Sequence, residues 1–157
     1  MQCLKILIFS DGGARGNPGP AAVGVKFEIR NSKSEIRNHK ISKYIGTATN
    51  NQAEYQAVIE ALKWIRSNRQ NLIPGMRESG SEGLEIECFL DSQLIVEQLN
   101  QRYKLKNEGL KPLFWEIRGL VMSLGGKITF KYIPREQNKE ADKLVNLALD
   151  GQKGKRI

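Results

Sequence analysis

The run Ile6-Leu7-Ile8-Phe9 leads into Ser10-Asp11-Gly12-Gly13-Ala14-Arg15-Gly16-Asn17-Pro18-Gly19-Pro20, and no other stretch constrains the fold as much. Four apolar residues that stop at a cluster of turn formers read as a buried strand over about residues 3–10. That strand carries Asp11 to its carboxyl end, the edge of an open α/β sheet where ligands bind. The glycines after Asp11 let the backbone turn sharply and approach a ligand with no Cβ in the way. An isolated Asp-Gly most often caps its own turn. A functional Asp11 therefore requires other acids to arrive at the same place.

Ala21 to Glu28 alternates as a half-buried strand, with Val23, Val25 and Phe27 on one face. Asn31-Ser32-Lys33-Ser34 forms a turn, and a more polar third strand runs to about Lys43, completing an antiparallel meander. Ala53, Ala57, Val58, Ala61, Leu62 and Ile65 recur at helical spacing, predicting a helix over about 51–68. Asn50 or Asn51 is its expected N-cap, with Glu54 at the third helical position if Asn51 caps. Residues 74–83 read as a mobile surface loop. Leu84 to Leu90 is a fourth strand that again ends in an acid, Asp91, and a helix starts at Ser92. Further elements follow: a basic connector with Arg102, Lys104 and Lys106, a helix over about 111–124, a strand over 127–133, and a helix over about 138–149. Residues 151–157 read as a frayed basic tail. The expected division is a domain over 1–150 and a tail over 151–157.

The chain has 157 residues, enough for one domain with a substantial core. Its net charge of +8 favours a polyanionic partner, nucleic acid ahead of a membrane surface. No apolar run reaches the roughly 18–20 residues of a membrane span, and Met1-Gln2-Cys3-Leu4-Lys5 shows no signal-peptide pattern, so the expected location is the cytoplasm. Cys3 and Cys88 fall in predicted strands. If strands one and four are parallel neighbours with Asp11 and Asp91 level, the cysteines lie roughly 16 Å apart, too far for a disulfide. Both are expected to be buried free thiols. The single histidine, His39, is expected at the surface and cannot make a zinc site alone.

Asp11, Asp91, Glu54 and Asp142 all occupy element ends. Singly, each has a structural explanation: a capped turn for Asp11, a helix cap for Asp91, a capping box for Glu54, a solvated helix position for Asp142. Together they suit a hard cation such as Mg²⁺, which takes oxygen ligands. Two such ions can drive in-line displacement at a phosphodiester.

In this order and spacing the residues resemble type 1 ribonuclease H. The stretch Asp11 to Pro20 resembles the first motif of that family, Thr49-Asn50-Asn51-Gln52-Ala53-Glu54 the second, Leu90-Asp91-Ser92-Gln93 the third, and Asn138-Lys139-Glu140-Ala141-Asp142-Lys143-Leu144 the fourth. The resemblance implies an α/β ribonuclease H fold: a five-stranded mixed sheet ordered 3-2-1-4-5 with helices on both faces. It also implies that Asp11, Glu54, Asp91 and Asp142 are the catalytic and metal-binding carboxylates for two Mg²⁺ ions, with Mn²⁺ as substitute. Asp11 would bridge both ions, Asp142 would help hold the one that activates water, and Glu54 and Asp91 would complete the other. Gly12, Asn17, Thr49, Asn50, Asn51 and Gln93 match substrate-binding positions. The implied activity is endonucleolytic cleavage of the RNA strand of RNA–DNA hybrids, giving 5′-phosphate and 3′-hydroxyl ends. The expected partner is the hybrid, with double-stranded RNA left open as a second substrate and no membrane, and the expected state is a monomer.

Two departures set the chain apart as a short form. The loop Ile133-Pro134-Arg135-Glu136-Gln137-Asn138 lacks the histidine that many members carry there, leaving Arg135 or Glu136 as candidate substitutes. The basic helix that some members use to grip substrate is also missing, and Arg102, Lys104, Lys106 and Lys111 are the nearest basic element. Three rival readings remain: an inactive nucleic-acid-binding module, a related nuclease acting on DNA junctions, and a basic structural protein. A pure binder of polyanions gains nothing from four clustered acids.

Overall fold

The computed structural model describes residues 3–33, 35–72 and 83–153. Among these residues five strands form one sheet: β1 (Leu4–Ala14), β2 (Gly19–Arg30), β3 (Ile36–Ala48), β4 (Leu84–Leu90) and β5 (Lys127–Tyr132). Their order is β3-β2-β1-β4-β5, as the resemblance to type 1 ribonuclease H implies. The first three strands pair antiparallel, whereas β4 and β5 are parallel to β1. Among the described residues four α-helices pack with the sheet: α1 (Asn50–Leu72), α2 (Gln93–Leu99), α3 (Lys111–Leu124) and α4 (Lys139–Lys153).

Alternation along β2 sorts the two faces. Val23, Val25, Phe27 and Ile29 join Ile6, Ile8 and the apolar face of α1 in the main core, where α3 adds Ile117, Leu120 and Leu124. Ala22 points the other way, against Val145 and Leu149 of α4. Gly24 makes that second layer thin. A Cβ there would overlap the Ala141 carbonyl oxygen and lie 2.8 Å from the Leu144 Cβ. Its absence lets α4 settle directly on the sheet.

Several elements run further than the sequence indicates. β1 continues through Asp11 to Ala14, because β2 stays paired with it as far as Ala14↔Ala21. Pairing of β1 with β4 stops earlier, at Phe9↔Phe89. Asp11 therefore still sits on the open edge, level with Asp91 where β4 has ended. β3 extends to Ala48 rather than Lys43, and α1 reaches Leu72. α4 runs to Lys153, so residues 151–153 of the expected tail are helical, while 154–157 and most of the expected loop at 74–83 lie outside the described residues.

Cys3 is exposed, contrary to expectation, because it precedes the first paired residue of β1. Cys88 is buried beside Ser10, and burial pushes its thiol up to about 12. Register places Ile8 opposite Cys88, five residues beyond Cys3, which excludes a disulfide. His39 is half-buried rather than on the surface. Its ring stacks on Trp64 of α1 at a centroid distance of 4.1 Å, and burial, with Arg37 nearby, lowers its pKa. Among the described residues no helix is long and apolar enough to cross a membrane.

Candidate active site

Parallel pairing sets Asp11 and Asp91 side by side at the carboxyl edge of the sheet. α1 brings the third acid. The sequence leaves Asn50 or Asn51 as the cap of this helix, but Thr49 does the work. Its hydroxyl accepts from the Gln52 N–H at 3.1 Å, and the Gln52 side chain accepts from the Thr49 N–H at 2.9 Å. This reciprocal pair is a capping box. It leaves Glu54 one turn further in and free of capping duty. Gly12 admits the helix: a Cβ on it would overlap the backbone of Ala53. Gly12 is itself buried beneath α1.

The ligand oxygens of Asp11, Glu54 and Asp91 all lie within 4.8 Å of one another. Asp11 is 6% exposed and Glu54 8%. The Glu54 Oε2 atom is buried with no hydrogen-bond partner. Burial first, and the neighbouring Asp91 carboxylate second, lift the Asp11 pKa to about 7, and Asp142 adds to the effect. Glu54 is likewise raised well above its ordinary value, by burial and then by Asp11 and Asp91, while Arg135 acts in the opposite sense. Asp142 stands outside the 4.8 Å group. It is an exposed residue of α4 that faces Asp11 from the rim. Asp91 does not cap α2, since Ser92 does so through the Ile95 N–H at 3.4 Å.

This donor set fits a divalent cation. It offers only carboxylate oxygens, the choice of hard ions, and one of them is a buried acceptor with nothing to accept. Burial and the nearby Asp91 carboxylate raise both Asp11 and Glu54, and a cation in the cluster would favour their charged forms.

Of the remaining predicted positions, Asn17, Asn50, Asn51 and Gln93 are exposed around the carboxylates' edge. The Asn17 Oδ1 accepts from the Asn50 N–H at 3.0 Å, and the Asn50 Oδ1 accepts from the Ala14 N–H at 2.9 Å. Both side-chain carbonyls are thus spent in holding the glycine-rich turn onto α1. Arg15 fastens the same turn to α4 through Asp150 at 2.7 Å, a role with no sequence signal. Sequence reasoning also assigned no role to Asn138. It is 1% exposed and donates to the Asp91 carboxylate at 3.0 Å.

Comparison with known proteins agrees with this geometry. The family model described as reverse transcriptase-like matches residues 9–148. The bifunctional protein Rv2228c of Mycobacterium tuberculosis is 34% identical over 148 residues, covering 94% of this chain and 36% of the relative. Ribonuclease HI of Halobacterium salinarum is 32% identical over 93% of this chain and 65% of its own length. The crystal structure of LC11-RNase H1 in complex with an RNA/DNA hybrid superposes with a TM-score of 0.76 at 41% identity, covering 94% of this chain and 98% of that one. The chain thus spans about a third of the length of the curated relative Rv2228c. Sheet order and clustered acids define the ribonuclease H-like class of α/β proteins. Within that class, the chain belongs to the type 1 ribonuclease H family.

Proposed function

We propose that this chain is a metal-dependent endonuclease that hydrolyses the RNA strand of RNA–DNA hybrids, leaving 5′-phosphate and 3′-hydroxyl ends. The observation that carries the reading is the meeting of Asp11, Glu54 and Asp91 within 4.8 Å at the open sheet edge. Asp142 faces them from α4. These four would hold two divalent cations, Mg²⁺ by preference and Mn²⁺ in its place. When bound, such ions supply a water of lowered pKa and positive charge beside the leaving oxygen.

The protein's own groups do the rest. The carboxylates are held by few donors, the Gly12 N–H on the Asp11 Oδ1 at 3.0 Å and the amide of Asn138 on Asp91, and the Glu54 Oε2 accepts from none. Asn17 and Asn50 have committed their carbonyls internally, so only their Nδ2 donors are left to meet a duplex. Minor grooves offer acceptors at every base pair, so donor-only side chains read the duplex without regard to sequence. A-like duplexes also display 2′-hydroxyls in a wide, shallow minor groove, which short polar side chains such as Asn51 and Gln93 can read, while Thr49 would meet a phosphate of the DNA strand. In this reading the chain acts as a monomer in the cytoplasm. Double-stranded RNA, which shares the 2′-hydroxyls, is the competing substrate.

The test is to incubate the protein and its Asp11→Asn variant with labelled hybrid, double-stranded RNA and double-stranded DNA, in Mg²⁺ or EDTA. Metal-dependent cutting of the hybrid's RNA strand, lost in the variant, is the expected result. Binding without cutting would reduce the chain to an inactive module, and cutting of DNA alone would favour a junction nuclease.

A further inference from the structure

Asn138 stands immediately ahead of α4 and is 1% exposed. One hydrogen of its amide goes to the Ser10 carbonyl at 2.9 Å, directly before Asp11 in β1. The other goes to the Asp91 Oδ2 at 3.0 Å. Its main chain is equally committed: the carbonyl accepts from the Asp142 N–H at 3.2 Å, and its N–H donates to the Arg135 carbonyl at 3.0 Å. A single buried residue therefore ties together the strand that carries Asp11, the carboxylate of Asp91 and the first turn of the helix that carries Asp142.

The same side chain has a defect. Its Oδ1 is buried with no hydrogen-bond partner. A buried polar atom left unpaired costs stability, and an apolar side chain would avoid that cost. What the position gains from an amide is its two N–H bonds. A cation in its place would also donate to Asp91, but it would oppose any divalent ion brought into the cluster. A neutral double donor orients the carboxylate without adding charge.

We infer that Asn138 is a positioning residue, which fixes the Asp91 carboxylate and the start of α4 in the arrangement the cations require. The inference rests on the proposed metal-dependent function. Groups that orient metal ligands typically govern metal affinity or activity by about 10–100-fold.

The experiment is a double-mutant cycle read by calorimetric titration of Mn²⁺ into the protein without substrate. Asn138→Ala should weaken Mn²⁺ binding about 10-fold in the wild-type background, yet less than about 2-fold when Asp91 is already Ala, because the contact is then gone. In parallel, the Mg²⁺ concentration for half-maximal cleavage should rise while KM for the hybrid stays unchanged. Equal weakening in both backgrounds would overturn the inference, as would a lowered melting temperature with unchanged Mn²⁺ binding. If circular dichroism shows that Asn138→Ala does not fold, Asn138→Ser, which retains one donor, takes its place in the cycle. Wild-type cleavage of hybrid is the control that separates the two readings. Its absence counts against the proposed function, whereas cleavage that Asn138 substitutions leave intact counts against the role of Asn138 alone.

Discussion

Replacing Asp11 with Asn should abolish activity and, in the absence of metal, make the protein more stable. The reason lies in the same burial that makes the site useful. Asp11 is pushed from an ordinary carboxylate value to about 7 by burial and by Asp91. The folded state then holds a proton that the unfolded chain has released, over the window from about pH 4 to about pH 7. Where the folded state binds more protons, stability falls as pH rises. The contribution of Asp11 is therefore present below about pH 4 and is lost progressively up to about pH 7. A shift of about three units corresponds to about 4 kcal/mol at about 1.4 kcal/mol per unit, and sharing of the proton with Glu54 reduces the part removed by one substitution to about 2–4 kcal/mol. For a domain of this size that amounts to a gain in Tm of about 4–16 °C. The assay is thermal unfolding of wild type and Asp11→Asn in EDTA at pH 4 and pH 7.5. The variant should melt higher at pH 7.5, and the two curves should converge at pH 4. Adding Mg²⁺ should raise the Tm of the wild type and leave the variant nearly unmoved. A variant that melts lower at pH 7.5, or a difference that does not change with pH, would refute the electrostatic argument.

Three further outcomes are expected. Arg135→Ala removes the cation that holds Glu54 down, so the acid limb of the pH–rate profile should move to higher pH, whereas Glu136→Ala should leave it in place; an unmoved limb in Arg135→Ala would dismiss Arg135 as the substitute for the absent histidine. Gly24→Ala forces a methyl into the Ala141 carbonyl and should cost about 1–3 kcal/mol, measured by urea unfolding, together with a loss of cleavage as Asp142 shifts with α4. Within the basic connector, Arg102 is already engaged by Glu97 at 3.0 Å and Lys111 by Glu108 at 2.7 Å. Lys104 and Lys106 therefore carry the prediction. Their joint replacement by Ala should lower the slope of log affinity against log salt by about 2 if each meets one phosphate of the hybrid, and an unchanged slope would show a merely solvated charge run.

The parts of this protein that could be read from sequence are those where one local rule acts alone. β4 and α3 begin and end where the apolar pattern begins and ends, at Leu84–Leu90 and Lys111–Leu124. Asp11 and Asp91 were legible as level because each closes an apolar run, and the observed register bears this out with Phe9 opposite Phe89. Boundaries were lost where a partner strand overrides local turn chemistry. Gly12 and Gly13 look like the start of a turn, yet antiparallel pairing with Val23 and Ala22 keeps them in the sheet. His39 was misplaced for a related reason, since its burial depends on Trp64, a residue 25 positions away in another element.

The role of α1's cap shows how a small local misreading bears on function. With Asn51 as cap, Glu54 falls at the third helical position and has a sufficient structural purpose in a capping box. With Thr49 as cap, Gln52 takes that purpose, and Glu54 is left buried, raised in pKa and without a partner for its Oε2. A chain that needed only a stable helix would not retain a buried acid one turn further in. The displacement of the cap by two residues thus removes the capping explanation for Glu54 and leaves a buried acid whose Oε2 is open to a cation. It also yields a discriminating test. Gln52→Ala should destabilise the fold by about 1 kcal/mol through the lost cap while sparing metal binding. Glu54→Gln should do the reverse, raising the metal-free Tm at neutral pH while weakening Mn²⁺ binding. If Glu54→Gln lowers the Tm in EDTA as Gln52→Ala does, Glu54 is a structural residue after all, and the carboxylate cluster is reduced to Asp11 and Asp91.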